Sequence, residues 1–131
     1  MVATSPSRAT HSWSLVKRII AIGIKLAQLG CNIIIADIDI ENANTTVSEI
    51  QKLGVKAKAY KVDVSNSDAI NNLRHSISQD FGSIDILINN AGIIPFDSLL
   101  EQSPAIIEKI IKVNVLSTIL VKTMFSFNVE T

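Results

Sequence analysis

Residues 81–93 read FGSIDILINNAGI, and this stretch decides the fold. Gly82 punctuates the chain, and residues 84–88 (IDILI) then form a short run rich in β-branched and apolar side chains. Such a run, bounded by turn residues, predicts a buried strand of a parallel sheet. It passes directly into Asn89, Asn90, Ala91 and Gly92. Small side chains and a glycine allow a ligand to approach the backbone closely, while asparagine amides can pin neighbouring strands. The plainer alternative is a generic Asn-Gly type of turn. An apolar strand running straight into Asn-Asn-Ala-Gly is more specific than turn composition alone.

Working outward toward the N-terminus, the same alternation repeats. Residues 65–68 (SNSD) offer a helix start, and Ile70, Leu73 and Ile77 supply the inner face of a helix that Gly82 ends. Residues 55–64 read as a strand. Before it, Ala43, Val47, Ile50 and Leu53 mark a helix over 41–53, stopped by Gly54. Residues 32–36 (NIIIA), between Gly30 and Asp37, read as a further buried strand. Toward the C-terminus, a turn-rich loop covers 89–103. Ser103 and Pro104 then open a long helix whose isoleucines, valines and leucines make it apolar on more than one side. Strands alternating with helices imply a parallel α/β sheet with right-handed crossovers.

The beginning of the chain breaks the pattern. Residues 14–29 read as a helix leading into the 32–36 strand, and such a helix should itself follow a strand. Residues 1–12 (MVATSPSRATHS) contain Pro6, many hydroxyl side chains and no apolar run, a poor composition for a central strand. Moving the strand to 18–24 leaves too few residues for a crossover, which needs at least about ten. The expectation is therefore an irregular segment over 1–13, a partial α/β domain over 14–131, and a first strand that is missing or degraded.

Composition bounds the rest. With 131 residues, 47% hydrophobic and 18% charged, the chain has material for one small domain and its core, and is not a disordered polypeptide. A mean hydropathy of +0.35 implies that some apolar surface belongs against a partner or a further part of a domain. The net charge of zero gives no basis for nucleic-acid binding or for an acidic membrane surface. Cys31 is the only cysteine, which excludes an internal disulfide and fits a reducing compartment such as the cytoplasm. No apolar stretch approaches the roughly 18 residues that span a bilayer. No acidic residue precedes Asp37, whereas Arg8, Lys17, Arg18 and Lys25 do. That asymmetry loosely resembles a mitochondrial transit segment, although an irregular N-terminus leading into a helix explains it more simply.

Three further features carry chemistry. Asp37 closes a buried apolar strand, where an acidic side chain of a dinucleotide-binding fold accepts hydrogen bonds from the adenosine ribose and repels a 2′-phosphate. A surface turn or a helix N-cap is its alternative reading. Asp63 and Val64 close the next strand, where a carboxylate can bond an exocyclic amine and Val64 can pack on an adenine face. Asn114 lies inside the long apolar helix, where an amide is costly without partners. A satisfied core asparagine would be the plain account. No histidine, cysteine and carboxylate set has metal-ligand spacing, so no metal site is expected.

The segments DVSNSDAI (63–70), FGSIDILINNAGI (81–93) and IIKVNVLST (110–118), in this order, closely resemble the short-chain dehydrogenase/reductases. The resemblance covers about residues 26–124. Within the family, LGCNIIIADID (29–39) and FDSLLEQSPAIIEKIIKVNVLS (96–117) are most similar to the branch of retinol and 17β-hydroxysteroid dehydrogenases, some of them membrane- or lipid-droplet-associated. The resemblance implies an incomplete Rossmann-type, doubly wound parallel sheet that binds NAD(P), with NAD preferred because of Asp37. Asp37 would contact the ribose, Asp63 and Val64 the adenine, and Asn89, Asn90, Ala91 and Gly92 the floor of the cofactor site. Asn114 would be the family's structural asparagine, which helps position the catalytic lysine. The implied substrate is a lipophilic alcohol or ketone, and the helix over 104–125 corresponds to one used for subunit pairing.

Two departures qualify this. The family opens with a strand and a Gly-x-x-x-Gly-x-Gly turn that holds the pyrophosphate. The three glycines should fall at 13, 17 and 19, where this chain has Trp13, Lys17 and Ile19. The family also uses a serine, a tyrosine and a lysine four residues after that tyrosine. The only tyrosine here is Tyr60, ahead of the Asn-Asn-Ala-Gly segment, and Val64 stands four residues on. The expectation is a chain without dehydrogenase activity of its own. Its alternatives are a non-catalytic module that pairs with or regulates a relative, and a truncated product without independent role. With the first strand gone from the sheet's centre, marginal folding is expected.

Overall fold

The computed structural model describes residues 2–4, 12–94 and 101–125. The chain divides into two compact units, one of residues 1–62 with 86–90, the other of 63–85 with 91–131.

The first unit is built around β2 (Ile33–Asp37), whose five residues are all buried. A strand buried on both faces needs helices above and below, and its IIIAD sequence supplies apolar side chains to both. β2 pairs in parallel with β3 (Ala57–Lys61), with Asp37 opposite Lys61. On its other edge it pairs in parallel with β1 (Val2–Thr4), Thr4 standing opposite Asp37. The sheet order is therefore β1-β2-β3.

Two helices cover this sheet. α1 (Ser12–Gln28) turns inward through Gly23, Ile24 and Ala27 and ends at Gly30, whose φ of 87° only glycine adopts without strain. α2 (Ile40–Gln51) starts at Asp39, whose carboxylate accepts the Asn42 N–H at 3.1 Å, and buries Ala43, Thr46, Val47 and Ile50. Ala27, Ile33, Ile35, Ala43, Val47, Ile50 and Ala57 form one core. Two amides secure the start of β3: the Lys56 N–H donates to Asn32 Oδ1, and Gln51 Nε2 donates to the Ala57 carbonyl.

In the second unit, α3 (Ser67–Phe81) is capped by Asn66, whose side chain accepts the N–H groups of Asp68 and Ala69. Its buried face is Ile70, Leu73 and Ile77, and Gly82, with φ 78°, ends it. The long helix is continuous but not uniform. α4 (Pro104–Ile111), capped by the Ser103 hydroxyl, winds into a π-helical turn over Lys112–Leu116 and then into α5 (Ser117–Met124). Val113, Ser117, Val121 and Phe125 are buried, and α5 packs against α3. Ile107, Ile111, Val115 and Ile119, 42–57% exposed, keep the other side apolar.

Of a first strand expected to be missing or degraded, the structure shows a short one: three residues ahead of Pro6 pair with β2. Parallel pairing uses backbone N–H and C=O groups, so the polar composition of 1–12 did not preclude it. The segment 1–13 is accordingly not wholly irregular, and α1 begins at Ser12. β1 pairs with Ile35, Ala36 and Asp37, so the sheet is not open along that part of β2. Conversely, residues 84–88 do not form the predicted strand. Only Ile88 makes a bridge, while Asp85 is exposed and Ile86 is 46% exposed.

Ile50 is completely buried and Leu29 is 70% exposed. Ile50→Ala should lower the free energy of unfolding by about 2–5 kcal/mol, whereas Leu29→Ala should change it by less than about 0.5 kcal/mol. Urea unfolding of the two variants checks this, and equal losses would contradict the described core.

Candidate functional site

The candidate residues fall in both units and are taken unit by unit. In the first, Asp37 ends β2 and is 3% exposed. Its Oδ1 accepts the N–H of Asp39 at 2.9 Å, and its carbonyl accepts the N–H of Val62 at 2.9 Å. The side chain is thus fixed by the turn into α2 rather than free on the surface, which places a charged acceptor reproducibly at the strand's C-terminal end. Asn89 is exposed and Asn90 half-buried, both in the irregular continuation of the Ile88 bridge.

In the second unit, Asp63 is exposed and Val64 half-buried. Asp63 Oδ1 accepts both the N–H and the hydroxyl of Ser65, at 2.9 and 2.7 Å. These two bonds, the hydroxyl's first, hold its carboxyl below the usual aspartate range; the charge of Lys109 adds to this, and partial burial opposes it. Hydrogen bonds to the charged form keep it an acceptor, the state needed to receive an amine.

Asn114 lies in the middle of the π turn and clamps the chain just after the Asn-Asn-Ala-Gly segment. Its Oδ1 accepts the N–H of Ile93 at 2.8 Å, and its Nδ2 donates to the carbonyl of Ile93 at 2.9 Å. One amide side chain thus satisfies both backbone groups of a residue outside any strand, which answers why an asparagine stands in an apolar helix. A Cβ on Gly92 would lie 3.7 Å from Asn114 Oδ1, an ordinary contact, so the clamp itself does not require glycine there. Sequence reading placed Asn114 but missed its partner Ile93, along with Ser65. The spacing Asp63-x-Ser65, a short acceptor two residues before a donor, was the available signal for Ser65.

Each unit carries groups whose chemistry suits part of a dinucleotide: in the first a fixed carboxylate, Asp37, and in the second the carboxylate of Asp63 and the pinned backbone of Ile93. The pyrophosphate turn does not fit. Positions 13, 17 and 19 lie within α1, and beyond its first four residues the helix's N–H groups are engaged in its own ladder. Residues 5–11, where the turn's approach would run, lie outside the described residues. Tyr60 is a residue of β3 with the Lys58 ammonium 5.1 Å from its ring centre, and is not placed with the segment after Ile88. Among the described residues no group of histidine, cysteine and carboxylate side chains could hold a metal ion, and no helix is long and apolar enough to cross a membrane.

The family model described as short chain dehydrogenase matches residues 20–129. The chain belongs to the short-chain dehydrogenases. Galactitol 2-dehydrogenase of Agrobacterium fabrum is 40% identical over 89 residues, covering 63% of this chain and 34% of that protein. L-Rhamnose 1-dehydrogenase (NADP(+)) of Thermoplasma acidophilum is 40% identical over 99 residues, covering 72% of this chain and 38% of that protein. Among solved structures, NAD+-bound xylitol dehydrogenase superposes with a TM-score of 0.80 at 24% identity, over 95% of this chain and 45% of that one. A metagenomic short-chain oxidoreductase in complex with NADP does so at 0.78 and 31% identity, over 82% of this chain and 49% of that one. The chain thus spans less than two-fifths of those curated relatives and about half of those structures. The fold is an incomplete Rossmann-type α/β arrangement, and the short-chain dehydrogenase relationship rests on more than the Asn-Asn-Ala-Gly segment.

The Asp63–Ser65 geometry makes a pH prediction. A carboxyl whose folded pKa is depressed stabilises the fold above its unfolded pKa, and that contribution is lost as the pH falls through the folded value. Ser65→Ala should raise the Asp63 pKa toward 3.8 and move the acid loss of this contribution to higher pH. Carboxyl NMR titration of both chains measures it; an unchanged Asp63 would show that Ser65 is not the cause.

Proposed function

We propose that this chain is the nucleotide-binding part of an NAD(P)-dependent oxidoreductase that interconverts an alcohol with its ketone or aldehyde, and that by itself it lacks dehydrogenase activity. The observation that carries the binding reading is the two-bond clamp of Asn114 on Ile93, which immobilises the backbone following Asn89, Asn90, Ala91 and Gly92. These four residues are assigned to the cofactor floor. Asp37 accepts hydrogen bonds from the adenosine ribose hydroxyls, and its buried charge disfavours a 2′-phosphate, so NAD is the preferred form. Asp63 accepts the adenine amine and Val64 packs on the ring. A bound nicotinamide supplies the hydride acceptor or donor. The relatives named above carry both NAD and NADP, so the preference rests on Asp37 alone.

The inactive reading rests on chemistry. Without the family's serine and its tyrosine–lysine pair, the sequence lacks that arrangement for moving the alcohol proton. His75 is exposed on α3. The substrate class stays at alcohol and carbonyl. Relatives named for galactitol, rhamnose and, in Escherichia coli, a 7alpha-hydroxysteroid span polar and lipophilic substrates alike, so the lipophilic one implied by the retinol and steroid wording is one choice among several.

A second reading, a non-catalytic module that pairs with a copy or a relative, is favoured by the apolar stripe Ile107, Ile111, Val115 and Ile119 on the long helix. A truncated product without a role of its own has no structural observation in its favour.

Isothermal titration of the chain with NAD and with NADP tests the main reading. NAD should bind, NADP more weakly, and Asp37→Ala should weaken NAD about ten-fold or more while narrowing the gap, since a hydrogen bond to a charged group contributes about 1.5–3 kcal/mol. No NADH should form when NAD and a panel of alcohols are added. Absence of binding to either nucleotide overturns the binding reading, and turnover that depends on the chain overturns the inactive one.

A further inference from the structure

Two hydroxyl groups bond to carbonyls of the π turn. In an α-helix each carbonyl accepts the N–H four residues ahead, and in a π turn the N–H five ahead. At Ser117 both patterns meet. Its N–H donates to Lys112 O, the π bond, and its hydroxyl donates to Val113 O, the carbonyl that the same N–H would serve in an α-helix. One residue on, the Thr118 hydroxyl donates to Asn114 O at 3.3 Å, again the carbonyl four residues back. The same hydroxyl bond occurs within regular helix at Thr45, Thr46, Ser48, Ser76 and Thr123, and what sets Ser117 apart is that its N–H serves Lys112 O instead.

Ser117 is 3% exposed, so water has little access to the bond its hydroxyl makes. Removing that hydroxyl leaves Val113 O to be satisfied by the Ser117 N–H, which returns the turn to the α form. A π turn holds one extra residue, and losing it rotates the flanking positions by about 100°, one residue's worth of helix. Asn114 lies inside the turn, so its amide would swing away from Ile93.

We propose that Ser117 and Thr118 are positioning residues: their hydroxyls keep the π turn open and thereby aim the Asn114 amide at both backbone groups of Ile93, fixing the segment that follows Asn89, Asn90, Ala91 and Gly92. Only the affinity arm of the test rests on the cofactor-floor reading; the exchange arm stands without it.

The experiment is amide hydrogen exchange by NMR on the whole chain and on Ser117→Ala, Thr118→Val and Thr118→Ser, with urea unfolding of each. Thr118→Val is near-isosteric and guards against a Ser117→Ala chain that fails to fold. In the alanine and valine variants the Ile93 amide should exchange about ten-fold faster, the scale of one or two lost hydrogen bonds, while the α2 amides of the first unit stay close to those of the parent. Thr118→Ser should restore the parent rate. NAD affinity should fall in parallel with Ile93 protection. Unchanged Ile93 exchange in both folded variants overturns the proposal, as does a uniform loss of protection throughout the chain. If the parent binds no NAD but Ile93 exchange responds as stated, the cofactor reading falls and the positioning role stands.

Discussion

Everything in the first unit depends on the burial of β2. A strand with all five residues shielded must have both ladder edges occupied and both faces covered. β3 pairs with all five residues on one edge and β1 with the last three on the other, and the core formed with α1 and α2 covers Ile33 and Ile35. The ladder then fixes where Asp37 lies: the last paired residue of β2, opposite Thr4 and Lys61, with its carboxylate tied to the turn that starts α2. Function in this fold gathers at the carboxyl ends of parallel strands for that reason, since side chains there are held by a rigid ladder yet stand where the chain leaves the sheet.

The second unit uses polar bonds to reach a comparable rigidity. Ser65 fixes Asp63, Asn66 caps α3, and Asn114 supplies Ile93 with the partners that a neighbouring strand would otherwise give. Such substitutes are weaker than a ladder, but they are specific: an amide offering one donor and one acceptor to a single peptide unit admits few alternatives.

Much of this was legible in the sequence where side chains decide the structure. NIIIA followed by Asp37 announced β2, Ile70, Leu73 and Ile77 announced the inner face of α3, and Ser103-Pro104 marked the start of the long helix. The misreadings share a cause. β1 was overlooked and the 84–88 strand over-extended because strand pairing is settled by backbone groups of a distant segment, which composition does not report. The family positions at 13, 17 and 19, read as unsuited to a glycine turn, lie in α1. The π turn is invisible to periodicity, because five residues do not separate a repeat of 3.6 from a slightly wider one. Its only trace was chemical, hydroxyls at 117 and 118 four residues after Val113 and Asn114. Asn114 was recognised as needing a partner, but which backbone it met required the structure.

We propose that this chain keeps the adenosine-binding and floor elements of a short-chain dehydrogenase although the family's glycine positions 13, 17 and 19 lie in helix. The most direct measurement is a two-dimensional amide NMR titration of the isotopically labelled chain with NAD. The account predicts saturable shifts confined to the neighbourhoods of Asp37, Val64 and Ile93, with the resonances of Ile107, Ile111 and Ile119 unmoved. No shifts at millimolar nucleotide, or shifts centred on the long helix, would contradict it.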